Sequence, residues 1–371
     1  MIILHKNLMG PRTKRDLMRI LPFGLIWMVF TIIYVLLEKS LLGDLTIYPS
    51  TGNPYRYGGI TFYYIISSTF MGLIIGTIEV KYLSHLFSKK SFSSKIFRKT
   101  MAYVVFMILV LLGLRLFGYS MTYDTNLADA RVWESLHIFF VSRIFWTVEL
   151  YIAIIIISTL FFTEVSESIG FEVLRNFFIG KYHTPIEENR IFMFLDMNDS
   201  TTIAEKLGHV QYFSLLRDYY EDLSDPIIQC SGQVYQYVGD EVIISWRIKN
   251  SNTSAACIKC FLLMQEKLVS QSKIYQKKYG VTPSFKAGIH FGLVTSGEIG
   301  ALKKEIVYTG DVLNTTARII SLCKEHLVDL LISSAMKEEI GNQSTYQFIS
   351  KGTNKLRGKN KSMELFTLKK E

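Results

Sequence analysis

Cysteine is scarce in this chain. Four occur in 371 residues, Cys230, Cys257, Cys260 and Cys323, all in its second half. So few, in the part read below as cytosolic, exclude a disulfide framework and point to reduced thiols. Cys257 and Cys260 have the CxxC spacing, but no second CxxC or His pair completes a zinc site. They share a helical face with Phe261, Met264 and Leu268, which reads as core packing. Lys and Arg outnumber Asp and Glu by 41 to 32, a net charge of +9. No basic groove interleaved with aromatics accompanies that surplus, and this speaks against a nucleic-acid partner. Internal repeats and low-complexity segments are absent, as is a small-residue cleavage site after the first apolar run. That run reads as a retained anchor, not a signal peptide.

What the sequence has in quantity is apolar residues, 49% of the chain, concentrated in the first 165 positions. Ile20–Leu37, Tyr57–Ile78, Met101–Leu114 and Phe145–Phe162 are runs on the scale of the roughly 18 residues that cross a bilayer. The third is short and the fourth contains Glu149. Lys6, Arg12, Lys14, Arg15 and Arg19 precede the first run, and Lys81, Lys89, Lys90, Lys95, Arg98 and Lys99 separate the second from the third. Basic residues stay on the cytoplasmic side, so both termini are expected there, in a multi-pass protein of an inner or plasma membrane. Basic loops facing anionic lipid also account for the net charge. On this topology the Asn-x-Ser/Thr matches at Asn198, Asn252, Asn314 and Asn342 carry no glycan. Arg115 and Glu149 each lie about 14 residues from the inner ends of their runs, roughly 21 Å deep. Two readings stand for them, an ion pair within or between chains, or separate snorkelling to the outer headgroups. The four runs serve equally as a receptor or as an anchor that dimerises.

Three segments follow: a membrane part over 1–163, a connector over 164–184, and an α+β domain over 185–371. In the connector, Val165, Ile169, Val173 and Phe177 or Phe178 make a narrow apolar stripe on a helix, suited to a spacer or to pairing with a copy of itself. In the last segment Ile191–Asp196 reads as a strand ending in an acid, and Ser200–Leu223 as a helix capped by Ser200 or Thr201. "VYQYVGDEVIISW", Val234–Trp246, reads as a hairpin with an acidic tip. A long helix spans about Thr253–Tyr279; "SFKAGIHFG" and "LVTSGEIG" read as two paired strands, Ile306–Tyr308 as another, and Asp311–Cys323 as a helix. Two β-α-β halves make a ferredoxin-like α+β sheet with helices on one face.

The hairpin can set Asp240 beside Asp196 if their strands are neighbours. Two carboxylates with no basic partner near in sequence are costly together unless cations neutralise them. Hard oxygen ligands of this kind suit Mg2+ or Mn2+, completed by substrate phosphates. The loop after Asp196, with Asn198, Asp199, Ser200 and Thr201, leads to a helix N-terminus whose free N–H groups favour a phosphate. In "YTGDVLNTTARI" Asn314 and Arg318 stand four apart on one helical face, an amide and a guanidinium for a ribose and a charged phosphate.

"FLDMNDSTTIAEKLG", "GQVYQYVGDEVIISW", "FKAGIHFGLVTSGEIG" and "YTGDVLNTTARI" resemble, in order and spacing, the signature blocks of the class III nucleotidyl cyclases, over about Arg190–Leu368. The resemblance implies a homodimer with composite head-to-tail sites that converts a nucleoside triphosphate into a cyclic 3′,5′-nucleotide and pyrophosphate. It implies two metal ions held by the set Asp196, Met197 and Asp240. Asn314 from the other subunit then orients the ribose, and Arg318 stabilises the transition-state charge. Arg357, or alternatively Lys359, matches the residue that touches the triphosphate.

The base-reading pair departs from the family. Adenylyl cyclases commonly place Lys four before the second metal Asp and Asp or Thr seven before the ribose Asn; here these are Gln236 and Val307. Guanylyl cyclases tend to show Glu and Cys there. Gln can donate and accept, so it serves either purine edge. Absence of the guanine-reading acid favours ATP over GTP. A guanylate cyclase and a catalytically inactive receptor or scaffold are the alternatives. A diguanylate cyclase is disfavoured by Val238 and by the Asn314/Arg318 block.

Overall fold

The computed structural model describes residues 10–47, 57–87, 90–248, 251–341, 346–357 and 362–369. Residues 13–175 form one compact unit, and the chain from Asn176 onward lies in a second.

In the first unit, α1 (Pro11–Leu42), α2 (Gly59–Ile78), α4 (Phe92–Thr122) and α6 (Arg143–Ile169) are the long apolar helices. Four helices among the described residues are long and apolar enough to cross a membrane. The run at Met101–Leu114 gains its length from flanking polar turns. A π-helical turn, Glu79–Leu83, and one further turn, α3 (Ser84–Leu86), continue α2. Small residues let α1 and α2 close on each other: a Cβ on Gly72 would meet Phe23 O at 2.8 Å, and one on Gly76 the Phe23 ring at 2.9 Å. That is the small-xxx-small mode of apolar helix packing. The loop expected after the third run contains α5 (Ala130–Val141). Asp129 starts it by accepting from Arg131 N at 2.9 Å, a local cap that the mixed charges of the segment concealed.

Arg115 and Glu149 do not pair within the chain. The Arg115 guanidinium lies 4.7 Å from the Phe139 ring centroid, and both Glu149 oxygens are buried without a hydrogen-bond partner. The buried charges that do pair belong to other residues. Lys99 Nζ sits 2.5 Å from Glu79 and 2.9 Å from Glu164, and Tyr103 OH donates to Glu79 at 2.9 Å. The connector helix is interrupted: α6 stops at Gly170, whose φ of 95° only glycine adopts freely, and α7 (Phe171–Phe178) starts anew.

The second unit is an eight-stranded sheet. Its strands are β1 (Ile186–Met197), β2 (Gln233–Val238), β3 (Glu241–Arg247), β4 (Phe285–Ile299), β5 (Glu305–Thr309), β6 (Leu330–Ser333), β7 (Phe348–Asn354) and β8 (Met363–Leu368). They run in the order β2-β3-β1-β4-β6-β8-β7, with β5 paired to β4. Arg190–Leu195 of β1 are all buried, without the alternation of a one-sided sheet, because helices cover both faces. On one face α8 (Ser200–Leu207), α9 (His209–Gln229), α10 (Ser251–Tyr279) and α12 (Ser334–Ile340) enclose a core that includes Cys257 and Cys260. On the other, α11 (Asp311–Ser321) packs Val312, Ile319 and Ile320 on Phe192, Phe194 and Val294. Helices on one face only was therefore the wrong expectation.

Three further differences have local causes. The expected pair of strands is the single 15-residue β4. Its glycines serve close approach, not a turn: a Cβ on Gly288 would meet Ile320 N at 2.6 Å, and one on Gly292 would meet Val312 Cγ2 at 2.7 Å. The helix expected over Ser200–Leu223 is broken at Gly208, φ 73°, into α8 and α9. Asp199, not Ser200 or Thr201, is its N-cap, in the left-handed region and without a side-chain cap bond.

Candidate active site

The acid pair forms where β1 ends. Register sets Asp196 opposite Glu241 of β3 and Lys286 of β4. Asp240 occupies the β2–β3 turn after Gly239, whose φ is 63°. From α9, Tyr220 OH donates to Gly239 O at 2.9 Å and reaches Glu241 O at 3.3 Å, pinning the turn on both sides of Asp240. Burial pushes the Asp196 carboxyl up; Lys286, at 2.6 Å, pulls it down, Asp240 raises it again, and the balance lies above the ordinary value. Burial, then Asp196 and Asp240, likewise raise Glu241. The acids that sequence spacing suggested are thus neighbours, and the charge of Asp240 adds to the cost of charging Asp196.

This donor set fits hard divalent cations. Two carboxylates share one partly buried rim with a single ammonium against them, and the described residues contain no group of three or more His, Cys, Asp or Glu that could hold a metal alone. A nucleoside triphosphate completes such a shell. The Met197 side chain is buried in the core, which leaves only its main chain as a candidate donor. Asn198 turns away to the neighbouring loop, its N–H to Ser284 O at 2.9 Å and its Nδ2 to Ser284 Oγ at 3.0 Å. Asp199, Ser200 and Thr201 lead into the first turn of α8.

Asn314 is exposed and Arg318 half-buried on α11, whose other face packs against the sheet. Among the described residues neither makes a hydrogen bond or ion pair to Asp240 or to Asp196, whose partner is Lys286. Gln236 is exposed on β2, just past a register shift against β3, and Val307 is half-buried on β5, opposite Gly297. Arg357 is exposed; Lys359 lies outside the described residues.

Two residues of the site went unread in the sequence. Lys286 is 90 positions from Asp196 and meets it only through β1–β4 register. Tyr220 reaches the hairpin from a helix core position. A lysine at a strand start and a tyrosine within a helix were the only signal, and without the pairing that signal has no direction.

A family model described as the adenylate and guanylate cyclase catalytic domain matches residues 183–370. Adenylate cyclase 2 of Rhizobium meliloti (strain 1021) is 30% identical over 209 residues, 56% of this chain and 58% of that protein. Adenylate cyclase 1 of the same organism is 28% identical over 180 residues, 47% of this chain and 26% of that protein. The chain thus spans little more than half of the first of these relatives and about a quarter of the second. Among solved structures, the adenylyl cyclase CyaB from P. aeruginosa aligns over 51% of this chain and 97% of its own, with TM-score 0.46 and 18% identity.

Proposed function

This chain belongs to the adenylate and guanylate cyclase catalytic-domain family, the class III nucleotidyl cyclases, and on that premise we propose that it converts ATP into 3′,5′-cyclic AMP and pyrophosphate. The observation that carries the proposal is the convergence of Asp196 and Asp240 at one rim, with Lys286 as their counter-cation. Asp196, Asp240 and the main chain of Met197 would hold two ions, Mg2+ or Mn2+. When bound, these supply Lewis-acid stabilisation of the phosphate charge and a more acidic ribose 3′-hydroxyl.

The protein's own groups do the rest by positioning and by opposing charge. First-turn N–H groups of α8, at Ser200 and Thr201, with Asp199 before them, receive the triphosphate, while Asn198, bonded to Ser284, shapes the turn. Arg357, with Lys359 as alternative, adds a cation to it. Asn314 orients the ribose and Arg318 opposes the charge that grows in the transition state. Both would come from the second copy of a homodimer with composite head-to-tail sites and act on the nucleotide held at the acid pair. Gln236 and Val307 take the base; the Gln236 amide matches the adenine edge, and neither position bears an acid for guanine.

Four apolar helices and the basic flanks of the first and second support a multi-pass protein in the bilayer, with catalytic domain and N-terminus cytoplasmic. The experiment is a product assay on the full chain in detergent or vesicles with Mg2+ or Mn2+. Cyclic AMP from ATP is expected. Cyclic GMP from GTP without cyclic AMP moves the substrate to GTP. No product from either, with nucleotide still bound, makes the domain a receptor or scaffold.

A further inference from the structure

Among the described residues of the catalytic unit Arg190 is the most buried charged one, 1% exposed in the middle of β1. Its guanidinium reaches in two directions at once. One arm hydrogen-bonds Tyr308 OH on β5 and stacks over that ring, 4.4 Å from its centroid. The other donates to Gln233 Oε1 on β2 at 2.6 Å. Buried Glu188 is its counter-ion at 3.6 Å, held in turn by Ser296 Oγ at 2.9 Å and Arg247 at 3.1 Å.

In the sheet, β3, β1 and β4 separate β2 from β5, so no backbone ladder holds those two strands to each other. Side chains do. The rings of Tyr235 and Tyr308 meet at 4.9 Å, both lie against Phe192, and Arg190 spans from one strand to the other. Gln236 directly follows Tyr235, and Val307 directly precedes Tyr308. The strands that Arg190 bridges are therefore those that carry the two base-side residues.

We propose that Arg190, through Tyr308 and Gln233, is the positioning residue of the base-reading half of the site, fixing the spacing between Gln236 and Val307. This rests on the cyclase reading for the identity of the ligand, a purine nucleotide. The planar guanidinium makes both contacts from a fixed fork, and a lysine ammonium cannot reproduce them. A small displacement of groups that orient a substrate is enough to cost one to two orders of magnitude in productive binding. The acid pair makes no contact with Arg190, so metal binding is independent of it.

The test uses Arg190→Lys, which keeps a charge beside Glu188, and Tyr308→Phe, which keeps the ring and removes only the hydroxyl, in the full chain. Arg190→Lys is expected to raise KM for ATP about tenfold with kcat within about threefold, and to shift the ATP-to-GTP preference by a similar factor. Tyr308→Phe moves both in the same direction by a smaller factor, because it removes one charge-assisted hydrogen bond and leaves the ring under the guanidinium. Mn2+ affinity, titrated by electron paramagnetic resonance without nucleotide, stays at the parent value in both. If both variants melt like the parent and retain its KM and ATP-to-GTP ratio, the proposal is overturned; so too if kcat and Mn2+ affinity fall together, which marks a general structural role. Should Arg190→Lys not fold, Tyr308→Phe decides alone. Dissociation constants for ATP and GTP are measured on the same proteins. A parent that makes no product then overturns the cyclase reading, while the clamp is still judged by nucleotide affinity.

Discussion

Lys286 and Asp196 face each other across β4 and β1, 2.6 Å from ammonium to carboxylate. Among the described residues this ammonium is the one cation set directly against an acid pair that is repulsive on its own, and a divalent ion held there would compete with it. Lys286→Met is expected to melt at a lower temperature than the parent without metal, yet to gain more from added Mn2+. Removing one nearby positive charge at a partly exposed site strengthens metal binding about tenfold, 1.4 kcal/mol. Thermal melts with and without Mn2+ check this. Equal metal-induced shifts in both proteins refute it.

Gly288 lets α11 approach β4. A methyl group there would stand 2.6 Å from Ile320 N, a backbone atom that cannot turn aside as a side-chain tip can. Gly288→Ala is expected to cost about 1–3 kcal/mol of stability by overpacking, read as a lower urea midpoint. Because α11 also carries Asn314 and Arg318, activity should fall further than the loss of folded protein explains. A variant as stable and active as the parent would show that α11 can shift freely.

Asp218 links α9 to α10. Burial pushes its carboxyl up, but Lys278 and Tyr279 Oη, the latter at 2.8 Å, outweigh this and hold it below the ordinary 3.8. A depressed folded value means stability that is present above the unfolded value and lost as pH falls through the folded one. Asp218→Asn is therefore expected to be less stable than the parent near neutrality. The gap should close in strong acid, below the folded value. Melts across pH 2–7 read it, and a gap independent of pH rules the ionic origin out.

Lys99 stands between Glu79 and Glu164, all three side chains at most 5% exposed. Lys99→Met leaves Glu79 buried without its cation and Glu164 with Lys95 alone, at 3.3 Å, a loss of about 3–5 kcal/mol. The full chain in detergent should melt well below the parent, and adding Glu79→Gln and Glu164→Gln should recover most of that loss. Failure of the triple variant to recover would mean that Lys99 packs through its carbon stem alone.

Much of the chemistry was legible in the linear chain, because local pattern carries it. Long apolar runs mark helices long enough to cross a membrane at any tertiary arrangement. A Gly-Asp-Glu tip between alternating runs marks an acidic hairpin, and an Asn and Arg four apart share a helical face by geometry alone. Elements broken by one residue were less visible: Gly170 and Gly208 interrupt helices whose periodicity continues past them, and Gly288 and Gly292 resemble turn residues although their role is close packing.

What the tertiary structure alone decided is which distant residues meet. Asp196 and Asp240 are 44 positions apart and had a reason to converge, as like charges that call for a cation. Lys286 comes to Asp196 through strand register, and Arg190 to Tyr308 and Gln233 through a sheet that brings β2 and β5 together across one face. Arg115 and Glu149, matched by depth, do not pair within the chain, because depth along a helix says nothing of the direction a side chain faces. Residue type and spacing determine what a segment can do; only pairing and packing determine with whom, since those contacts join positions that no local periodicity relates.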